Sequence, residues 1–402
     1  MLKIKSSSKF HFHSSFSGIL MIFVLAHLVH HILTALQIPL LPFIRSEFGL
    51  NYAQTGFLIS AFSLPYGISQ IPAGWIADHL GRPLLVAIGI SGVALFGFLI
   101  GFSQTYIAMV IFFALMGLVA GAYHPASIPL IVATVKPDKQ GQALGLHMIG
   151  GAFSYFVAPF FAAIFAKTFG WRSPFIWLSV PVMIFGIFMY WLTKKRENIK
   201  NVIASTTTNE KGKESILSCI CRLMPFIFLS SFAQAVSFSI IAFIPLFMVD
   251  HFGISRELAA AMIALYYSAG LWASFVGGYL SDRFGAINAT LVACLLSGPA
   301  IYLLKIAPYG WSFWLLLIFI GITSYIRFVT SESYIINQTT EKNRSTVIGI
   351  YYFGSMEGGG VITPVLGYLI DRYSFNCAFT IAAIAVFIVT LIFSLFLRRK
   401  HN

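Results

Sequence analysis

The chain has 402 residues, of which 58% are hydrophobic and only 10% charged, and its mean hydropathy is +0.84. Soluble domains carry about a quarter charged residues, and a water-soluble fold of this composition would expose large apolar patches and aggregate. The net charge of +13 would suit a polyanion, but its placement along the chain, described below, excludes a nucleic-acid partner.

The N-terminus is basic and runs into an apolar stretch. Signal-peptide apolar regions are roughly 7–15 residues long and end at a small-residue cleavage site. Here the run is longer and ends in Pro39 and Pro42, so it reads as a retained first span. A helix needs about 20 mostly apolar residues to cross the hydrocarbon core of a bilayer. Twelve segments meet this need, near residues 18–42, 53–77, 84–104, 106–134, 141–166, 173–193, 223–248, 258–280, 288–306, 312–337, 345–369 and 375–397. The longest polar stretch, Thr193 to Arg222, has no apolar periodicity and falls at the midpoint, which predicts a flexible linker. The expectation is an all-α membrane protein: an N-terminal six-helix bundle over 1–197, a cytoplasmic linker over 198–222 and a C-terminal six-helix bundle over 223–402.

Counted over alternate loops, nineteen lysines and arginines fall on one side and six on the other, with Arg327 left inside a helix. The positive-inside rule places the rich side in the cytoplasm. Both termini are then cytoplasmic in a cell inner or plasma membrane, and the basic excess is an orientation signal. The four cysteines, Cys219, Cys221, Cys294 and Cys377, read as small apolar residues.

One offset of 204 residues relates the two halves. Phe48-Gly49 recurs as Phe252-Gly253, Gly74-x-x-x-Asp78-x-x-Gly81 as Gly278-x-x-x-Asp282-x-x-Gly285, and Gly117 and Gly145 as Gly321 and Gly349. Internal repeats of hydrophobic segments mark secondary transporters, which bind their substrate near the bilayer midplane between the repeats.

Gly74-Trp75-Ile76-Ala77-Asp78-His79-Leu80-Gly81-Arg82 resembles the G-x-L-A-D-R-x-G-R-K motif that joins spans 2 and 3 in the major facilitator superfamily. Gly278 to Gly285, with Asp282 and Arg283, resembles its weaker copy between spans 8 and 9. The resemblance implies that Asp78 braces the contact between the halves on the cytoplasmic side in one conformation, with Arg82 as a local partner. A carboxylate at a helix end can accept from an arginine or from the free N–H groups of a neighbouring helix N-terminus. His79 and Pro83 stand where the family has basic residues.

Span 5 carries Gly141, Gly145, Gly150, Gly151 and Ala158-Pro159, and its repeat carries Gly349, Gly354, Gly358, Gly359, Gly360 and Pro364. These resemble the glycine-rich span 5 of the drug-antiporter branch, with Ala-Pro in place of Gly-Pro. Small residues at these places let helices of opposite halves pack and slide. In span 1, His27, His30-His31 and the Pro39 to Pro42 run resemble the first span of exporters related to fosmidomycin-resistance proteins, as does Tyr123-His124-Pro125 in span 4.

A charge at the centre of a membrane helix costs about 2.5–3.5 kcal/mol on insertion scales, so it faces a cavity or a partner. Arg327 and Glu357 stand near the middles of spans 10 and 11, Glu332 nearer the cytoplasmic end of span 10, and His30, His31 and His124 at similar depth in spans 1 and 4. Gln234 is the repeat-mate of His30. Arg327 is expected to meet Glu357 across two helices, either as a coupling pair or as a structural salt bridge. The histidines are either cavity groups or hydrogen-bonded packing residues. In the superfamily, spans 1, 4, 7 and 10 line the cavity and 2, 5, 8 and 11 flank it, which makes all seven residues candidates for substrate or proton handling.

Neither an H-x-x-x-H spacing nor a carboxylate-rich cluster is read as marking a metal site, and neither a metal nor a cofactor is expected. The motifs of hydrolases and metalloproteases are missing, so no enzymatic role is expected. Nor is there an ATP-binding loop, so the energy source is an ion gradient. The sequence therefore reads as a secondary transporter, expected to be a monomer, exporting a small organic compound against inward proton flow. Proton-coupled uptake of a metabolite or siderophore-like ligand is the alternative.

Overall fold

The computed structural model describes residues 18–136, 139–200 and 215–399. The interior of the 198–222 linker and the extreme termini lie largely outside these residues. Among them the chain is helical, without strands. We number the helical columns α1 (Gly18–Phe48), α2 (Tyr52–Leu80), α3 (Arg82–Phe102), α4 (Tyr106–Val132), α5 (Gln140–Phe169) and α6 (Ser173–Lys200). The second half holds α7 (Ile216–Phe252), α8 (Arg256–Phe284), α9 (Ala286–Ile306), α10 (Trp311–Asn337), α11 (residues 341–372) and α12 (Phe375–Arg399). Together they form two pseudo-symmetric bundles of six transmembrane helices.

Ten of these columns are long and apolar enough to cross a membrane by length and composition. The other two, α2 and α11, pack against each other. Their contact face is rich in small and polar residues, including Thr55, Gly56, Ser60, Ser63, Gly360, Thr363 and Gly367. Such residues lower hydropathy but let two backbones approach closely without lipid between them.

The helix ends follow from the repeated glycines. Gly49 and Gly253 close α1 and α7 at φ of 63° and 67°, and Gly81 and Gly285 turn the chain after α2 and α8 at φ of 94° and 85°. L-residues with a side chain rarely adopt these angles, so glycine is required at both copies. The loops at Gly81 and Gly285 lie on what we call the motif side, and those at Gly49 and Gly253 on the far side.

Four columns are irregular where the site lies. α1 breaks between Gly18–Thr34 and Gln37–Phe48, and α4 breaks between Tyr106–Ala120 and Tyr123–Val132, just before His124. α3 contains a π-turn at Ile88–Gly92, and α11 another at Phe353–Glu357. Such wide turns disturb the hydrogen-bond ladder and are frequent at functional sites. The carbonyl of Gly89, inside the first, accepts from His30. Glu357 ends the second.

Candidate functional site

The two halves are closed against each other on the far side. Asp371, at the end of α11, accepts the backbone N–H groups of Tyr52 (2.9 Å) and Ala53 (2.8 Å), the first residues of α2. A carboxylate placed there meets the positive end of the helix dipole. Arg45 of α1 pairs with Asp250 of α7 at 2.9 Å, and the Tyr52 hydroxyl donates to the same carboxylate at 2.5 Å. Deeper in, the Ser60 hydroxyl donates to the carbonyl of Gly360. Glycines make this approach possible. A Cβ on Gly56 would fall 2.8 Å from the Thr363 carbonyl oxygen, and one on Gly367 would fall 2.7 Å from the carbonyl carbon of Tyr52.

The motif side is apart. Asp78 pairs with Arg82 of its own loop at 2.9 Å, and both side chains are well exposed. His79 turns to the carbonyl of Trp75. In the second copy Arg283 donates to Tyr279 on its own helix, and Asp282 is exposed. Among the described residues there is nothing within 4 Å of where a Cβ would stand on Gly74, Gly141, Gly145, Gly278 or Gly349. The expected bracing role of Asp78 is therefore not engaged in this conformation, which is open on the motif side.

Glu357 sits where α2 and α11 begin to diverge. It is 3% exposed, and a Cβ on Gly67 of α2 would fall 3.0 Å from its Cβ. Among the described residues its carboxylate has no hydrogen-bond or ion-pair partner. The expected contact with Arg327 is not formed. Arg327 is 1% exposed and points instead into the second half. It donates to the carbonyl and hydroxyl of Ser230 at 2.9 and 2.8 Å, to the side-chain oxygen of Gln234, and at 3.5 Å to the carbonyl of Ser324. The correction has a simple cause. α7 and α10 offer a ready-made set of oxygens one helix away, and Ser230 is itself held by Ser331 at 2.7 Å. Arg327 thus keeps a buried positive charge against neutral acceptors only. Glu332 accepts from the Tyr352 hydroxyl within the same half.

The first half gathers histidines. His30, His31 and His124 come together as candidates did in the sequence, and His27 and His147 join them. Ring centroids of His27 lie 4.9 Å from His31, 5.0 Å from His124 and 4.2 Å from His147. The spacing His27-x-x-x-His31, one helical turn, was the available signal for His27, since residues four apart share a helix face. His147 had no such signal, because only the packing of α5 on α1 brings it in.

The packing glycines also need correction. Gly150 and Gly151 face α1 in their own half: a Cβ on Gly151 would fall 2.6 Å from the His27 ring. Gly358 and Gly359 face Ala235 and Phe238 of α7, also in their own half. Only Gly360 and Pro364 meet the opposite half, at Ser63 and Gly56. Pro159 is buried within α5. Gly151 and Gly359 admit the rings of His27 and Phe238, and Gly150 and Gly358 let α5 and α11 approach Val24 and Ala235 closely, roles that spacing alone does not distinguish from sliding.

Two half-bundles closed at one end around intramembrane charges are the arrangement of an alternating-access carrier. The family model of the Major Facilitator Superfamily matches residues 23–233 and 223–402, and the chain belongs to that family. It is an integral, multi-pass membrane protein of a transport family. The chain is 23% identical over 375 residues to the fosmidomycin resistance protein of Escherichia coli (strain K12), covering 91% of this chain and 89% of that one. It is 24% identical over 370 residues to the cis,cis-muconate transport protein of Acinetobacter baylyi (strain ATCC 33305 / BD413 / ADP1), covering 89% and 88%. Among solved structures, a bacterial homolog of the human lysosomal transporter Spinster, inward-facing and occupied, superposes with a TM-score of 0.77 at 16% identity, covering 94% and 95% of the two chains.

Proposed function

We propose that the protein exports a small organic compound bearing an acidic group, in exchange for inward-moving protons. The supporting observation is the placement of Glu357. It is buried and unpartnered at the point where α2 and α11 separate, so the movement that opens the far side must uncover it. A charged carboxylate without a partner is costly in an apolar setting. Opening the far side exposes Glu357 to take up a proton there, closing the far side over it favours the protonated form, and release of that proton toward the motif side completes its inward movement. Arg327, buried among neutral acceptors, supplies the positive group for an acidic substrate. Two relatives named for fosmidomycin resistance and for cis,cis-muconate transport fit a small acidic cargo. The motif side is cytoplasmic in this reading, and the conformation described is the inward-open one.

The test begins with thermal-shift screening of the purified protein against a panel of organic acids at two pH values. A stabilising compound is then used for isotope exchange and proton-driven accumulation in proteoliposomes. Glu357→Gln mimics the protonated form, so exchange should persist while accumulation is lost. Arg327→Ala should impair both. Accumulation by Glu357→Gln against a gradient would place coupling elsewhere, with Glu332 and His124 next. Loss of both activities in Glu357→Gln would make Glu357 a structural or substrate-binding group and end the coupling proposal.

A further inference from the structure

We propose that the histidine cluster of the first half is a binding site for one divalent first-row transition-metal ion of the zinc, nickel or copper class. Five of the ten histidines in the chain converge there: His27, His30, His31, His124 and His147. Two triads bring one ring nitrogen each to within 4.8 Å of one another, His27–His124–His147 and His30–His31–His124. His124 belongs to both.

The hydrogen bonds fix which nitrogens are free. The Nδ1 of His27 is 2.8 Å from the carbonyl oxygen of His147, that of His30 is 3.0 Å from Gly89 O, and that of His147 is 3.0 Å from Phe23 O. A carbonyl only accepts, so each of these Nδ1 atoms carries the proton and each neutral ring presents its Nε2 lone pair. The Thr34 hydroxyl gives its proton to His31 O at 3.1 Å, so its oxygen accepts from His31 Nδ1 at 3.4 Å. His31 Nδ1 also lies 3.5 Å from the Tyr155 hydroxyl, and its Nε2 is 3.3 Å from His124 Nε2, so without an ion one of these two Nε2 atoms donates to the other, and that proton leaves when an ion binds. The Nδ1 contacts are the outer support that metal-binding histidines characteristically have, a second ring nitrogen tied to a backbone carbonyl or another acceptor.

Among the described residues, two of the inward nitrogens have no other partner. Nε2 of His30 and Nε2 of His147 are buried without a hydrogen-bond partner, in rings 0% and 1% exposed. Such orphaned acceptors are costly to leave unmade. Protons could satisfy them only by crowding several imidazolium charges together, since the cluster holds no carboxylate. One divalent cation meets three lone pairs at once. Imidazole nitrogens without carboxylates select zinc, copper and nickel over magnesium or calcium. Tetrahedral ligands about 2.0–2.1 Å from zinc stand roughly 3.3 Å apart, which is the separation of His31 Nε2 from His124 Nε2, 3.3 Å. The remaining rings need to shift by about 1 Å to close on an ion. His124 is only partly buried, which makes it the most accessible ring of the cluster. Gly151 is part of the construction, because a side chain there would displace the His27 ring.

The site is independent of the direction and coupling proposed above, and binding can be read without transport. Full-length protein without an affinity tag, in detergent, is titrated with Zn²⁺ against a chromophoric chelator, and separately with Co²⁺ while recording the visible d–d bands. A control chain carries His11, His13, His79, His251 and His401 as alanine, which removes every histidine outside the cluster. The control should still take up one ion per chain and give an intense tetrahedral Co²⁺ spectrum. His124→Ala in that background should weaken binding at least 100-fold. Comparing His147→Ala with His30→Ala then tells which triad holds the ion. The Co²⁺ spectrum of the control needs no cluster variant, so a misfolded variant cannot mask the answer. Failure of the control to bind, or unchanged affinity and stoichiometry in folded His124→Ala, would show that the cluster is a hydrogen-bonded packing feature.

Discussion

Replacing Asp371 by asparagine should open the far side without unfolding the protein. Asp371 receives two backbone N–H groups from the first turn of α2, at 2.9 and 2.8 Å. A hydrogen bond to a charged group contributes about 1.5–3 kcal/mol, and the dipole of a helix N-terminus adds about 0.3–1 kcal/mol. Both are reduced here by exposure to solvent, and asparagine retains one acceptor oxygen. The net weakening of far-side closure is then about 1–2 kcal/mol, or roughly a 5- to 30-fold change in the ratio of closed to open forms. A protein that is about 1% far-side-open would become about 5–23% so. Folding should be spared, because α2 keeps its own cap: the Asn51 side chain accepts from Gln54 N at 2.7 Å. The assay is a spin-label distance measurement between Gln104→Cys, in the far-side loop before α4, and Ser312→Cys, in the first turn of α10, two exposed far-side positions of opposite halves, in a chain lacking its four native cysteines. A longer distance should emerge in Asp371→Asn with an unchanged melting temperature. Distance distributions that superimpose on the parent would refute the claim that this carboxylate holds the halves together.

Asp78→Asn should lower transport at least tenfold while leaving the melting temperature and the far-side distance unchanged, since in this conformation Asp78 has only an exposed pair with Arg82, worth about 0–1 kcal/mol. Full transport by a normally inserted variant would mean that the motif merely solvates a turn. An enzymatic reporter active only outside the cytoplasm, fused after Lys211, should be silent, and activity there would reverse the orientation drawn from the lysine and arginine count.

The columns were legible because each must hide about 20 residues from water, which writes itself into composition. Even the weakest, α2 and α11, read as apolar runs of this length at 53–77 and 345–369. The turn glycines were legible too, as Gly81 and Gly285 answer a backbone requirement at fixed offset. What escaped was the direction in which side chains point. Arg327 and Glu357 share a depth, and depth is all that span-counting provides. Arg327 turned to Ser230 and Gln234 because oxygens on α7 were nearer than a carboxylate on α11. Likewise the choice between sliding and seating at Gly151 depends on which neighbour's side chain arrives there, and the His27 ring that fills the space belongs to α1.

The glycines of α2 and α11 divide at Glu357. Gly56, Gly67, Gly360 and Gly367 are pressed against the opposite column, whereas a Cβ on Gly74 or Gly349 would meet nothing within 4 Å among the described residues. Glycine inside a helix costs roughly 1 kcal/mol relative to alanine, and the crowded ones return that cost as close packing while the vacant ones do not. The two columns therefore form a lever with its fulcrum at the carboxylate, and only one arm is seated. In the export reading the vacant arm is where a partner surface would arrive when the lever tips. The small residues would then outline the opposite conformation, with Gly74 and Gly278 in the repeated motif and Gly141, Gly145 and Gly349 beside them marking where backbones would meet.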